Sequence, residues 1–307
     1  MKRLGFSRIV LTLIWLGTIF LQIGPGIARI SASDAEAHFH HVHLNVTDSK
    51  ATQEFYQRYF GALPIPYRNA TPSLFTERSF LLLTEATEAP RTHHKTCLWH
   101  LGWAGVDGPS EFRWRQEAGV KVHTPLTALG DDHYMYFSGP QDEWVEVYTG
   151  SRNHRFEHIH LLATDVNQTI QWFTQTLGLK ARRETVPQPP ADADVNSLRG
   201  IWMNTIRVDN VNLVVFGRPR AGTTPFWLPE ALPDEFAPTK GSTIDHIAFS
   251  YRNIEPEFTR MKESGIKIER PIKVDPETGH RSFFVLAPNQ LLVEIVEAKP
   301  IPEGLWE

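Results

Sequence analysis

Four short apolar segments each carry a histidine at a comparable place: Phe39-His40-His41-Val42-His43-Leu44, Cys97-Leu98-Trp99-His100-Leu101, Phe156-Glu157-His158-Ile159-His160-Leu161 and Ile244-Asp245-His246-Ile247-Ala248-Phe249. Two more segments, Trp144-Val145-Glu146-Val147 and Leu292-Val293-Glu294-Ile295, set one glutamate among apolar neighbours. A single histidine in an apolar strand is most often a hydrogen-bonded core residue. A glutamate inside Val-Glu-Val asks for more. An inward carboxylate is costly to bury alone, so it must be paired or bound to a metal. Two imidazoles and a carboxylate make a three-donor face with open positions. That face suits Fe(II) or Mn(II) taking substrate and oxygen together. With a fourth oxygen donor it suits Zn(II), Ni(II) or Mn(II) acting as a Lewis acid. Spacing alone does not choose the metal.

The elements that must position these residues repeat four times. Each histidine segment alternates like a strand and is followed by a helical pattern. Asp48 can cap residues 49–60, where Phe55, Tyr56, Tyr59 and Phe60 recur at helical spacing before Gly61. Asp165 caps the matching stretch 166–177, stopped by Gly178. Residues 111–117 and 255–264 predict the other two helices, each ahead of a glycine. Apolar strands then close the modules at 79–84, 144–147, 211–216 and 292–295, with further strands at 134–138 and 282–286. The prediction is an α+β fold of four βαβββ modules, paired into two domains over 38–150 and 154–298. Stretches 185–199 and 218–242 are polar and rich in Pro and Gly. The second is long for a plain connection, which suggests a lid or a partner surface.

This repeated unit resembles the vicinal oxygen chelate superfamily: glyoxalase I, extradiol ring-cleaving dioxygenases, fosfomycin-inactivating enzymes and bleomycin-binding proteins. The resemblance covers nearly all of the chain beyond its first 37 residues. It implies that two modules curve a sheet around a divalent metal, with histidines from first strands and a glutamate from a last strand. Carried onto these positions, the metal set of the N-terminal half is His41, His100 and Glu146, and that of the C-terminal half is His158, His246 and Glu294. Ring-cleaving relatives place a tyrosine ten residues before the glutamate. Tyr136 stands there before Glu146, and Phe284 before Glu294. His133 and His280 precede the glutamates by 13 and 14 residues and are candidate acid/bases. Tyr136 and His133 are therefore the catalytic candidates, and the N-terminal half is the expected site. The turns Gly139-Pro140-Gln141-Asp142 and Ala287-Pro288-Asn289-Gln290 depart from the dioxygenase Asp-Pro-x-Gly turn. Glyoxalase-type chemistry would need a fourth protein ligand, for which Glu85 is the candidate. His43 and His160 share a face with His41 and His158, as pocket lining or supporting donors. Trp99, Trp103 and Trp144 flank the first set, either walling a cavity or packing the core. The resemblance implies a metal-dependent enzyme for a small substrate with neighbouring oxygens, best matched to an extradiol-type dioxygenase. The alternatives are a glyoxalase-like lyase or isomerase, and a non-catalytic ligand-binding protein of the bleomycin-resistance kind.

Bulk properties narrow the partners. The 307 residues carry 31 Lys+Arg against 35 Asp+Glu, a formal charge of −4 with no basic cluster, so nucleic acid is not an expected partner. A small molecule is, and a homodimer is compatible with the resemblance. The lone Cys97 allows neither an intrachain disulfide nor a cysteine-rich zinc site, and reads as a buried small apolar residue. Lys2, Arg3 and Arg8 precede an apolar stretch over 9–23, then Gly24-Pro25-Gly26 and Ser31-Ala32-Ser33-Asp34-Ala35. These are the parts of a secretory signal over residues 1–35, with cleavage expected after Ser33 or Ala35. The expected location is periplasmic or secreted, with a membrane contact only if the segment stays uncleaved as an anchor.

Overall fold

The computed structural model describes residues 36–68, 71–219, 223 and 232–301. Residues 1–35, where a secretory signal is expected, and much of the 218–242 loop lie outside them. In chain order the elements are β1 (His38–Val46), α1 (Ser49–Phe60), β2 (Ser73–Phe75), β3 (Phe80–Glu85), β4 (Leu98–Ala104), α2 (Gly108–Glu117), β5 (Val122–Leu129), β6 (Asp132–Ser138) and β7 (Trp144–Tyr148). Then come β8 (Arg155–Ala163), α3 (Val166–Leu177), β9 (Met203–Val208), β10 (Val211–Gly217), β11 (Ile244–Tyr251), α4 (Glu255–Glu263), β12 (Ile268–Val274), β13 (Arg281–Ala287) and β14 (Leu291–Glu297). Among the described residues no helix is long and apolar enough to cross a membrane.

Local chemistry explains the helix limits. The Asp48 side chain accepts from the Ala51 amide, and Asp165 from that of Gln168. Gly61 and Gly178 end α1 and α3 in the left-handed region, at φ 68° and 71°. Modules 2 and 4 carry the expected three strands after the helix. Modules 1 and 3 carry two among the described residues. The stretch after α1 makes only isolated bridges at Leu63 and Tyr67. Pro64 and Pro66 lack the amide donors a ladder needs. Pro187, Pro189 and Pro190 do the same in module 3.

The strands form two mixed seven-stranded sheets, ordered β12-β13-β14-β11-β1-β3-β2 and β5-β6-β7-β4-β8-β10-β9. The fold class is α+β, as the repeats predicted. The pairing of modules differs from expectation, however. Residues 38–150 and 154–298 do not each build their own sheet. Modules 1 and 4 share the first sheet through antiparallel β1 and β11. Modules 2 and 3 share the second through β4 and β8. The link from β7 to β8 is short, so module 3 enters beside module 2. The link from β3 to β4 instead crosses between sheets.

Aromatic side chains join the two sheets. Phe39 of β1 lies 6.2 Å from Phe156 of β8 and 5.9 Å from Phe249 of β11. Tyr56 of α1 stacks on Trp103 of β4 at 5.5 Å, and Phe173 of α3 meets Phe249 at 6.2 Å. Helices of modules 1 and 3 thus each lean on the other sheet.

The register of the central pairs slips by one residue at four places. The extra residues are His40, Trp99, Glu157 and Asp245, and each stands immediately before a histidine: His41, His100, His158 and His246. A one-residue insertion transfers the following side chain to the opposite face. This is how Phe39 and Phe156 face the core while His41 and His158, two positions later, face the other side, toward Glu294 and Glu146.

Candidate metal centres and their cavities

One row of paired residues crosses the second sheet. Arg207 opposes Asn212, Asn212 opposes His158, His158 opposes Gly102, Gly102 opposes Glu146, and Glu146 opposes Tyr136. The row places His158 and Glu146 on one face with only a glycine between them. A Cβ at residue 102 would fall within the His158 ring. Glycine there lets the imidazole lie across β4 toward the carboxylate.

The donors converge tightly. His100 Nε2 and His158 Nε2 each lie 2.8 Å from Glu146 Oε2, and His160 Nε2 lies 3.9 Å from it. The four groups' donor atoms all lie within 4.8 Å of one another. Glu157 holds His158 Nδ1 at 2.6 Å, and Asn212 donates to the other Glu157 oxygen at 2.7 Å. An imidazole held by a carboxylate at one nitrogen presents the other in a defined direction, the arrangement found at metal-bound histidines. The His160 ring stacks on His100 at 4.3 Å.

Electrostatics suit a cation. Burial raises Glu146, but hydrogen bonds from His100 and His158 overcome this and hold its carboxyl well below the usual range. Burial lowers His158, yet Glu146 and Glu157 outweigh it and lift the group to about 9. His100 falls to about 4 through burial, partly offset by Glu146. A negative carboxylate among imidazoles in a water-poor site fits a divalent ion in both charge and donor type.

The first sheet holds a second cluster. His41 Nε2 and His246 Nε2 lie 3.1 and 3.2 Å from Glu294 Oε2. His280 Nε2 binds the other Glu294 oxygen at 3.0 Å, and Arg270 approaches to 3.8 Å. Asp245 holds His246 Nδ1 at 2.6 Å, while His40, rather than a carboxylate, meets His41 Nδ1 at 2.8 Å. His43 stacks on His246 at 4.7 Å.

The expected ligand sets are therefore divided and recombined. His100 and Glu146 take His158 as their third donor, not His41. His246 and Glu294 take His41, not His158. The cause is the sheet pairing: β1 neighbours β11, and β4 neighbours β8.

Tyr136 faces Glu146 across the ladder, its ring 4.8 Å from His100. Burial, reinforced by Glu146, raises its hydroxyl well above the ordinary value, so it remains a proton-bearing donor. Phe284 faces Glu294 in the same way. His133 does not reach the site. It sits an odd number of residues from Tyr136, so it faces the opposite side of β6 and packs over Gly108 at the start of α2. His280 is an even number from Phe284 and reaches Glu294. Glu85 is exposed and accepts from the amide and hydroxyl of Ser49 at 3.1 and 2.7 Å. It caps α1 and supplies no ligand. Trp99 lines the cavity, whereas Trp103 packs in the core and donates to the Phe60 carbonyl at 3.1 Å. Sequence reasoning missed the orienting roles of Glu157, Asp245 and Gly102. The acid-before-histidine pairs Glu157-His158 and Asp245-His246 were the available signal.

A cavity of about 630 Å³ opens beside the second-sheet cluster, lined by Trp99, Tyr134, Tyr136, Ile201, Met203 and Phe216 among others. The first-sheet cluster faces a smaller one of about 360 Å³ with Lys273, Asp275 and Thr278 at its wall.

Two mixed sheets, each shared by a pair of modules, each hold a cluster of two histidines and a glutamate. Residues 155–295 match the sequence profile of the Glyoxalase/Bleomycin resistance protein/Dioxygenase superfamily. Glyoxalase I from Zea mays shares the fold, with a TM-score of 0.65 at 16% identity over 85% of this chain and 92% of that one. A putative dioxygenase from Bacillus subtilis aligns at a TM-score of 0.56 and 12% identity, over 84% of each chain. Uncharacterized protein YwkD of Bacillus subtilis is 24% identical over 141 residues, which is 46% of this chain and 94% of that protein.

Proposed function

We propose that the protein is a metal-dependent enzyme for a small substrate carrying neighbouring oxygens, and that its working site is the second-sheet cluster, His100, His158 and Glu146. The observation that carries this is the meeting of two imidazoles on one carboxylate oxygen, three donors in all, at the floor of the larger, aromatic-lined cavity. A divalent ion held there by His100, His158 and Glu146 would supply Lewis-acid chemistry toward a substrate hydroxyl and, if redox-active, redox chemistry with dioxygen. The chain does the rest. Glu157 fixes the direction of His158. Trp99, Tyr134 and Phe216 exclude water and flank a flat substrate. Tyr136 keeps its proton and offers it beside Glu146, as a general acid toward a substrate oxygen.

An extradiol-type dioxygenase uses all of these features, and Tyr136 is the reason to rank it first. A glyoxalase-type lyase or isomerase is favoured by one observation: a ring nitrogen of His160 lies within 4.8 Å of the other three donor atoms, in position for a fourth protein ligand that Glu85 does not provide. Fe(II) or Mn(II) serves the first reading, Zn(II) or Ni(II) the second. The test is metal analysis of the purified protein followed by assays with a catechol and with a hemithioacetal. Oxygen uptake dependent on Tyr136 supports the dioxygenase. Hemithioacetal consumption without oxygen supports the second reading. Stoichiometric binding without turnover of any such substrate leaves a ligand-sequestering protein. We also propose export, supported by the basic-then-apolar pattern of residues 1–35. Amino-terminal sequencing of the protein recovered from a secreting host tests it, with a start at 34 or 36 expected.

A further inference from the structure

The cavity over the second-sheet cluster is chemically two-ended. Its floor holds Glu146 and His158. Its outer wall carries Lys180, Arg182 and Arg207, all exposed. Among the described residues none of these three cations forms an ion pair. The only carboxylates lining the cavity, Glu146 and Glu157, are already engaged: Glu146 by His100 and His158, Glu157 by His158 and Asn212. Within the cavity lining no acidic side chain stands at the outer end, although Arg207 Nε donates to the Asp209 carbonyl at 3.2 Å and Lys180 and Arg207 also border a neighbouring pocket that holds Glu36 and Asp209. Backbone pairing fixes the separation. Arg207 stands in the same ladder row as His158, two strands away across Asn212, which is about 10 Å at the usual strand spacing. Between floor and rim the wall is apolar, with Trp99, Tyr134, Ile201, Met203 and Phe216.

The smaller cavity has a different character. There Arg270 and Lys273 stand with Asp275, and Arg270 already lies 3.8 Å from Glu294.

We propose that the substrate of the second-sheet site is an anionic aromatic compound: vicinal oxygens at one end for the metal centre, and a carboxylate or similar group at the other for Lys180, Arg182 and Arg207. This rests on the second-sheet cluster being the working site. Guanidinium groups favour this role because they present planar paired donors to a carboxylate and remain charged. The reach from floor to rim suits a dihydroxyphenyl ring bearing a short carboxylate side chain.

The experiment uses the Mn(II)-loaded protein without oxygen and titrates it calorimetrically with dihydrocaffeate and with its methyl ester, in which a methyl group replaces the negative charge. Dihydrocaffeate is expected to bind about tenfold more tightly or better, the range of a charge-assisted hydrogen bond. In the Arg182→Gln/Arg207→Gln protein the acid should fall to the affinity of the ester, while ester binding stays unchanged. His158→Ala should weaken both ligands alike. Equal affinity of acid and ester in the unaltered protein overturns the proposal and leaves the metal site standing. An acid preference that survives the double substitution also overturns it, because the cations named would not be its source. Failure of both ligands to bind removes the working-site reading and the proposal with it.

Discussion

Gly102→Ala is the most direct probe of how the second-sheet site is built. The added methyl would occupy the space of the His158 imidazole. The backbone cannot move away, because residue 102 is held between β7 and β8 by the ladder. The ring must therefore swing out, giving up its 2.8 Å contact with Glu146 and its place in the donor set. Loss of even a supporting group at a metal site lowers affinity about 10- to 100-fold, so displacing an imidazole donor should lower it by about 100-fold or more. The fold itself should survive, since alanine costs a strand interior less conformational entropy than glycine. The assay is a competition titration of Mn(II) or Zn(II) against a chromogenic chelator, with a metal-free thermal melt beside it. Ala248→Gly is the control. That alanine holds the equivalent place between His41 and Glu294 in the first sheet. It should leave the second-sheet affinity unchanged. If Gly102→Ala binds metal as the parent does, with the melting temperature intact, His158 is not a ligand and the assignment of the site is wrong.

Three further results are expected. Tyr136→Phe should keep full metal content but reduce turnover about 10²- to 10⁴-fold, the usual contribution of a positioned proton donor. Unchanged turnover would remove Tyr136 from the chemistry. Glu143 is fully buried against the Tyr56 hydroxyl, and burial pushes its carboxyl up to about 7 from 4.5. Its contribution to stability is complete below pH 4.5 and is lost as pH rises to about 7, amounting to roughly 3 kcal/mol. Denaturant melts across that range should show the decline, and Glu143→Gln should flatten it. Parallel curves for the two proteins would contradict the assignment. Cys97 is buried, and burial pushes its thiol up. A thiol-specific chromogenic reagent should react with it only after unfolding, and fast reaction of the folded protein would count against that burial.

Much of this was legible in the sequence, and the gaps have physical causes. The histidine strands, Val-Glu-Val and Leu-Val-Glu-Ile were readable because a buried carboxylate among apolar residues needs a partner. The capped helices were readable because Asp48…Gly61 and Asp165…Gly178 carry both ends of the same device. Which module neighbours which was not readable. All four first strands have similar apolar faces, so pairing depends on link lengths and on packing such as Phe39 against Phe156. The offset of His133 misled because 13 residues and 14 look alike in sequence, yet across an antiparallel hairpin they point to opposite faces. Glu85 followed a strand at a plausible distance, but Ser49 at the start of α1 offered two donors closer by. The rim cations Lys180, Arg182 and Arg207 come from a bend and an edge strand, and only the fold brings them to one mouth.

The pairing of the first and last modules also sets an order of assembly. The second-sheet site draws on neighbouring parts of the chain: Glu146 lies 46 residues from His100 and 12 from His158. The first-sheet site joins His41 to His246 across 205 residues. As the chain emerges from the ribosome, the second cup has all its strands once residue 217 is out. β1 must still wait for β11, its backbone donors and acceptors open along one edge. A chain ending before residue 244 keeps His100, Glu146 and His158 and loses the cover on its first strand. Its expected defect is self-association, with the chemistry of the larger site retained.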